Sequence, residues 1–487
     1  MNVLFINHCF EQDIDSLVRA MPSARCWVIS VQHWGTPARR FFPESVFGSL
    51  HGYWAPELEG ARRRWAREAA RLLWDAYRAV RFDVIVAPSD SFFYLFDVVK
   101  EARRMGIPFF VAQKETTITD HSLDVHAKAT RQWAPFTADF MTVCSARHKR
   151  FWINAGCDPS LVEVTGQPRF DFYAQATPSV STDGRRRVLF LTYDLNAYSE
   201  SAQGTVTSAE QPWARLRSAT MERLSDEVRA GRISLEVKPH PQQDRADVAA
   251  IRAELAALAA EVPDAMVRLA EPAEDTRTLI READVVVGFQ TTALFEAVVA
   301  GKVVVYTGWG DQFHRQRDIL IPFHEWGDFI HVATSPDDLT AALRAVPGAR
   351  SGSWQAAYEE YLGPADGKAS ERTWKAVTRV CAEHAARTAE REPYRRRVVA
   401  LAERAARRER WRGRVEGAVL GLAARVAPGR IGARLARWRD HWRARLAELE
   451  APPAPRGPAS PAQLGGRHFA SLGDVLVRVG RSRLGAW

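Results

Sequence analysis

Two clusters set charge-binding side chains at short spacing in the chain. The first is Lys238-Pro239-His240-Pro241, directly after the apolar run Leu235-Glu236-Val237. Its prolines stiffen the turn, so an ammonium and an imidazole project from a strand end, where they suit a diphosphate or a departing phosphate. The second is Gly288-Phe289-Gln290-Thr291-Thr292, with Glu296 four residues beyond Thr292. A strand breaks at Gly288 and a helix opens on two threonines, which serve equally as an N-cap or as an anion site. Glu296, one turn into that helix, is set to accept from ribose hydroxyls. Lys238, His240, Thr291, Thr292 and Glu296 are therefore the expected binding set for a phosphate-bearing ligand. The plain alternatives are a proline turn, an ordinary cap and a solvated helix face.

A general base is expected from the other half of the chain. The run Gln113-Lys114-Glu115-Thr116-Thr117-Ile118-Thr119-Asp120-His121 follows a predicted strand and is dense in titratable groups. Glu115 is the first choice as base, with His121 and Asp120 next, against the alternative of a solvated polar loop. His8, after the first strand, is a further crevice candidate, and His33 and Asp90 follow it. No G-x-x-x-x-G-K-[ST] phosphate loop or G-x-G-x-x-G occurs, which argues against P-loop hydrolysis and dinucleotide binding. Cys9, Cys26, Cys144, Cys157 and Cys381 form no C-x-x-C pair. No metal or other cofactor is implied, and a reducing compartment is the expectation.

Short apolar runs alternating with helical patterns must position these residues. Strands are expected at Asn2–Ile6, Arg25–Val31, Phe82–Ala87, Pro108–Ala112, Phe140–Cys144 and Leu161–Val164. A second series follows at Val188–Thr192, Leu235–Lys238, Val267–Leu269, Asp284–Gly288, Val303–Thr307 and Ile330–Val332. This alternation predicts parallel sheets covered on both faces, so the fold class is α/β with two Rossmann-like domains facing across a crevice. The expected bounds are 1–171 for an acceptor domain, 172–187 for a linker and 188–365 for a nucleotide-donor domain. Residues 366–390 are expected to be a connecting helix, 391–450 a basic amphipathic helical extension, 451–463 a proline-rich linker, and 464–487 a short tail ending in a helix-like piece.

The formal charge of +9 over 487 residues is unevenly distributed. Residues 391–487 hold 22 Arg, no Lys and 8 acidic residues, a net of +14, leaving 45 basic and 50 acidic residues before them. A mildly acidic body disfavours nucleic acid as partner. Ile431, Leu435, Trp438, Trp442, Leu446 and Leu449 follow helical spacing among arginines, which suits an anionic membrane surface or a docked helix. No apolar run reaches the roughly 18 residues of a membrane span. The expected location is cytoplasmic, peripheral at the inner face of the membrane.

The Lys238-Pro239-His240-Pro241 and Thr291-Thr292 motifs, with Glu296-Ala297 and Gly301-Lys302, resemble GT-B glycosyltransferases of bacterial surface polysaccharide synthesis. Within that group the chain looks like capsule polysaccharide synthesis transferases and CDP-glycerol glycerophosphotransferases. The run Val164-Thr165-Gly166-Gln167-Pro168-Arg169-Phe170-Asp171 is similar to the V-T-G-N-P-R-F-D segment that ends the first domain in such proteins. The resemblance covers about residues 1–365. It implies a nucleotide-sugar donor, a glycan or lipid-linked acceptor, and transfer without a metal, the leaving phosphate being stabilised by side chains and helix N-termini. Two alternatives are a UDP-sugar 2-epimerase-like enzyme, which shares the fold but whose Asp-x-His motif after the first strand is missing here, and a non-catalytic nucleotide-binding scaffold.

Overall fold

The apolar runs of the first half become six parallel strands, β1 (Asn2–Asn7), β2 (Arg25–Ser30), β3 (Val84–Ala87), β4 (Phe109–Ala112), β5 (Phe140–Val143) and β6 (Val162–Val164). Those of the second half become β7 (Arg186–Leu191), β8 (Ile233–Lys238), β9 (Val267–Leu269), β10 (Val285–Gly288), β11 (Val303–Thr307) and β12 (His331–Ala333). This computed structural model describes residues 1–426 except 49, 115–117, 119–121, 175–184, 194, 196–212, 241–242, 264–265, 272–273, 318–319, 328 and 345–351; beyond 426 it describes 437, 440 and 477–479.

The first sheet runs β2-β1-β3-β4-β5-β6 and the second β12-β11-β10-β7-β8-β9. The inner strands β1, β3, β4, β10 and β11 are buried on two faces, which is why they are almost continuously apolar, while β8 alternates. Period 2 sorts the side chains. Leu4, Ile6, Ile85, Ala87, Phe109 and Val111 enter one core, while Val3, Phe5, Val84, Val86, Phe110 and Ala112 enter the other. The first core is covered by the helix Glu59–Val80 through Trp65, Leu72 and Leu73. The second is covered by the helix Glu11–Ala20 and by a helix from far along the chain, Ala369–Glu383.

That long return changes the role expected of residues 366–390. Helices Ala369–Glu383 and Ala385–Glu390 form there, and the first of them is part of the wall of the N-terminal domain. Trp374, Val377 and Val380 are buried in its core, each contributing roughly 1.5–3 kcal/mol of apolar burial. The Trp374 indole also donates to the Leu17 carbonyl at 2.5 Å.

The expected linker is only partly described. Its start is the short helix Asp171–Ala174, its end is the start of β7, and 175–184 lie outside the described residues. Of the tail expected to end in a helix-like piece only 477–479 are described, and these form a strand, β13 (Val477–Val479), antiparallel to β2 with Val477 opposite Val28. Val-Arg-Val has β-branched residues at alternate positions and meets the otherwise open edge of β2, a pairing that overrides local helical spacing. The helical extension is described as one helix, Glu392–Val426. Of the 431–449 pattern only residues 437 and 440 are described.

Candidate functional site at the carboxyl edges of the sheets

In the second sheet β7 lies at the centre, with β8 and β9 on one side and β10 to β12 on the other. This is the 3-2-1-4-5-6 order of doubly wound sheets, whose crevice opens where the winding reverses, beyond the carboxyl ends of the first and fourth strands. The loops after β7, β8 and β10 therefore meet at one edge. Two of these three loops carry the clusters singled out from sequence, with His240 after β8 and Thr291 and Thr292 after β10.

The loop after β8 is held by a residue that sequence reasoning missed. The Gln243 carboxamide oxygen accepts from the Thr192 hydroxyl at 2.5 Å and from the His240 amide at 3.3 Å. The Thr192 amide donates to the Lys238 carbonyl at 3.0 Å. Gln243 thus ties the proline turn to the end of β7. Its own Nε2 is buried with no hydrogen-bond partner among the described residues, and so is the Tyr193 hydroxyl just after β7. Buried donors left unpaired are rare and need an explanation, of which a ligand is one. The only sequence signal for Gln243 was its place three residues beyond His240, too little to separate it from Gln242.

The loop after β10 is strained. Gln290 has φ +46°, a left-handed conformation uncommon for a residue with a side chain. Its amide holds it there, donating to the Tyr306 hydroxyl at 2.8 Å and accepting from the Ile321 amide at 2.7 Å. Phe289 packs against Tyr193 and Trp213, with ring centroids 4.9 and 4.7 Å away. Thr291 is mostly buried and Thr292 partly open. Thr292 holds the N-cap position of the seven-residue helix Ala293–Val299 without a side-chain capping bond, so its hydroxyl is not used in the ordinary way.

Two expected ligand groups are buried and bonded within the protein. Lys238 is 4% exposed and its Nζ donates to the Glu271 carbonyl at 2.7 Å. Burial lowers its pKa, opposed by Glu274 and Asp275. As the last residue of β8 it points to a face of the sheet, and the segment after β9 covers that face.

Glu296 is likewise 5% exposed. It accepts from the Tyr173 hydroxyl at 2.8 Å and pairs with Arg169 at 3.3 Å. Burial pushes its carboxyl above the usual range, against the pull of Arg169 and Tyr173. Its carboxylate faces the first domain, one helical turn from the threonines, because residues four apart share a helix face and this face meets the crossover segment.

That segment is Val164 to Asp171, whose composition follows from what it joins. Gly166 has φ +81°, and a Cβ there would lie 2.4 Å from the Pro364 carbonyl oxygen of the returning chain. Gln167 donates to Asp13 at 2.8 Å, and the Arg169 amide donates to the same carboxylate at 3.0 Å. Asp171 accepts from the Ala369 and Ser370 amides at 2.9 and 2.7 Å, capping the returning helix. A second bridge sets Arg277 of the second domain against Asp15 of the first at 3.1 Å and over the Phe172 ring at 4.9 Å.

In the first sheet the reversal lies between β1 and β3. His8 and Cys9 are exposed there, Cys9 has φ +50°, and the His8 ring meets Phe92 edge-on at 4.9 Å. His8 therefore sits at the crevice edge. Asp90 is 1% exposed, with one oxygen accepting from the Thr137 and Ala138 amides at 2.7 and 2.9 Å; burial raises its pKa. It braces a loop and is not open to the crevice. His33 packs toward the helix Glu59–Val80, hydrogen-bonded to the Leu72 backbone, and burial lowers its pKa to about 4. Glu115, Asp120 and His121 lie outside the described residues. No group of three or more His, Cys, Asp or Glu among the described residues is placed to hold a metal ion.

No protein-family model and no curated protein matches the sequence. Among solved structures the chain is similar to a Listeria monocytogenes protein assigned as a UDP-N-acetylglucosamine 2-epimerase, with 14% identity and TM-score 0.49 over 77% of this chain and 95% of that one. It is also similar to the Neisseria meningitidis UDP-GlcNAc 2-epimerase solved with UDP-GlcNAc, with 13% identity and TM-score 0.45 over 78% and 100% of the two chains. A third is the Anabaena protein HepE, solved with UDP and glucose, with 14% identity and TM-score 0.41 over 76% and 95%.

Proposed function

We propose that this chain is an enzyme acting on a nucleotide-activated sugar, bound at the carboxyl edge of the second sheet. The observation that carries the reading is a pair of buried donors without a partner among the described residues, at the end of β7 and in the loop after β8, the Tyr193 hydroxyl and Gln243 Nε2. They lie at the winding reversal, with Gln290 held left-handed in the loop on the other side of β7. In this reading His240, Gln243, Thr291 and Thr292 hold the diphosphate, and the motif resemblance supports the same ligand class. Lys238 and Glu296 shape the loops without touching it.

Two reactions are compatible with such a ligand. In transfer, the hydroxyl of a glycan or lipid-linked acceptor gives its proton to Glu115 or His121 and its oxygen bonds to the anomeric carbon, while the anomeric C–O bond breaks and its electron pair leaves with the diphosphate beside His240. In 2-epimerisation, the sugar is inverted at C2 with no acceptor. A panel of CMP-, CDP-, UDP- and GDP-linked sugars is screened first by thermal unfolding. A specific donor at about 100 times its dissociation constant stabilises the protein by roughly 2.7 kcal/mol. Incubation of that donor alone then separates the reactions, since an epimerised nucleotide sugar means epimerisation, while turnover that waits for an acceptor means transfer. Stabilisation without turnover means a binding scaffold, and no stabilisation by any donor rejects the proposal.

A further inference from the structure

Apolar exposure is concentrated on one element. Of the ten large apolar side chains exposed among the described residues, Tyr394, Leu401, Trp411, Val415, Val419 and Leu422 belong to the helix Glu392–Val426. The start of this helix is docked on the first domain. Arg395 is buried and donates to the Met105 and Thr388 carbonyls, Tyr394 meets Trp74 edge-on at 5.7 Å, and Val399 enters the core. From Leu401 onward its described large apolar side chains, Leu401, Trp411, Val415, Val419 and Leu422, are exposed, Trp411 and Leu422 each at 67%.

Trp411, Val415, Val419 and Leu422 are spaced four, four and three apart, so at roughly 100° per residue they fall within one arc of about 80°. Arg404 and Arg408 precede Trp411 on the same arc by two turns and one turn, and Arg407 lies beside them. All three are exposed. Glu416 lies about 100° round the helix from the middle of this arc, and Glu403, one turn before Arg407, lies outside it on the opposite side. The face is thus apolar toward the C-terminal end and cationic next to it, with no carboxylate position within it.

We infer that this face lies on an anionic lipid surface, with the helix parallel to the membrane plane, the apolar stripe entering the headgroup boundary and the arginines on the phosphates. Charge complementarity chooses the occupant. A second copy of the helix would set arginines against a stripe that offers no carboxylate, whereas an anionic bilayer supplies both an apolar layer and the countercharge. No described helix is long and apolar enough to cross a membrane, so the geometry is surface attachment. The attachment is independent of which nucleotide sugar the crevice takes, and it would hold that crevice near the bilayer.

The test is co-sedimentation of the full chain with vesicles of phosphatidylcholine alone or mixed with phosphatidylglycerol, at low and high salt. Binding is expected only to the mixed vesicles and is expected to weaken with salt. Trp411→Ser with Leu422→Ser, and separately Arg404→Glu with Arg407→Glu and Arg408→Glu, are each expected to lower partitioning by about tenfold, with circular dichroism and nucleotide-sugar stabilisation unchanged. Absence of binding, equal binding to neutral vesicles, or unchanged partitioning of both variants overturns the inference. So does a dimer in light scattering that Trp411→Ser abolishes, which would assign the stripe to a second copy.

Discussion

Two positions one turn apart at the start of the helix Ala293–Val299 make different uses of polar side chains. At its start Thr292 has no capping bond to make and borders the crevice. One turn further, Glu296 is enclosed between Tyr173 and Arg169. The loop after β8 divides in the same way, with Lys238 turned into the protein and His240, two residues on, partly open. In both places the side chain that most resembles a ligand group by charge is the one used for structure. A full charge inside the protein is held by an opposite charge or a carbonyl, whereas the less costly hydroxyl of Thr292 and imidazole of His240 are left partly open.

The strongest test of this division is Arg169→Met. It leaves the Asp13 and Glu296 carboxylates buried without their shared cation, so stability is expected to fall by about 3–5 kcal/mol in chemical denaturation. A loss below about 1 kcal/mol would mean that the joint is not an electrostatic one. Next comes a pH effect inside the first domain that neither region shares. Burial holds His33 at about 4 against an ordinary 6.5, with Leu72, Asp75, Arg71 and Glu68 around it. Its neutral form is favoured on folding, so its contribution is complete above 6.5 and is lost as pH falls toward 4. The slope is at most about 1.4 kcal/mol per pH unit, and His33→Gln should flatten it.

His240→Ala is expected to weaken nucleotide-sugar binding by about tenfold, roughly 1.4 kcal/mol, with the unfolding midpoint unchanged. Lys238→Met should do the reverse, costing about 1 kcal/mol of stability from the lost Glu271 contact while leaving affinity intact, as measured by denaturation and titration calorimetry. If Lys238→Met abolished binding with stability unchanged, the division between structural and open residues would fail at that loop.

Much of the architecture was legible because it rests on local signals. The inner strands form where almost continuous apolar runs stand between turn residues, and burial on both faces demands that pattern. The placement of His240, Thr291 and Thr292 at strand ends followed from the same reading. The roles of Lys238 and Glu296 were not legible. Which way a strand-end or helical side chain turns depends on what covers it, here the Glu271 segment and the crossover at Arg169. Gln243 was hidden for a related reason, since its partner Thr192 belongs to a different strand. The strand Val477–Val479 took its conformation from the edge of β2, nearly 450 residues earlier in the chain.

The sequence by itself determined two α/β domains in series, a near-neutral body with an arginine-rich end, and strand ends carrying groups suited to phosphate. Short-range periodicity and composition suffice for those, because backbone hydrogen bonding and apolar burial repeat every few residues. Only the tertiary structure decided that the helix Ala369–Glu383 completes the first domain. It also decided that Val164–Asp171 is the joint between the domains, and that Asp13, Arg169 and Glu296 are buried together there. Each of these depends on the partner that distant parts of the chain bring to a side chain, and the free energy of a buried charge is set by that partner.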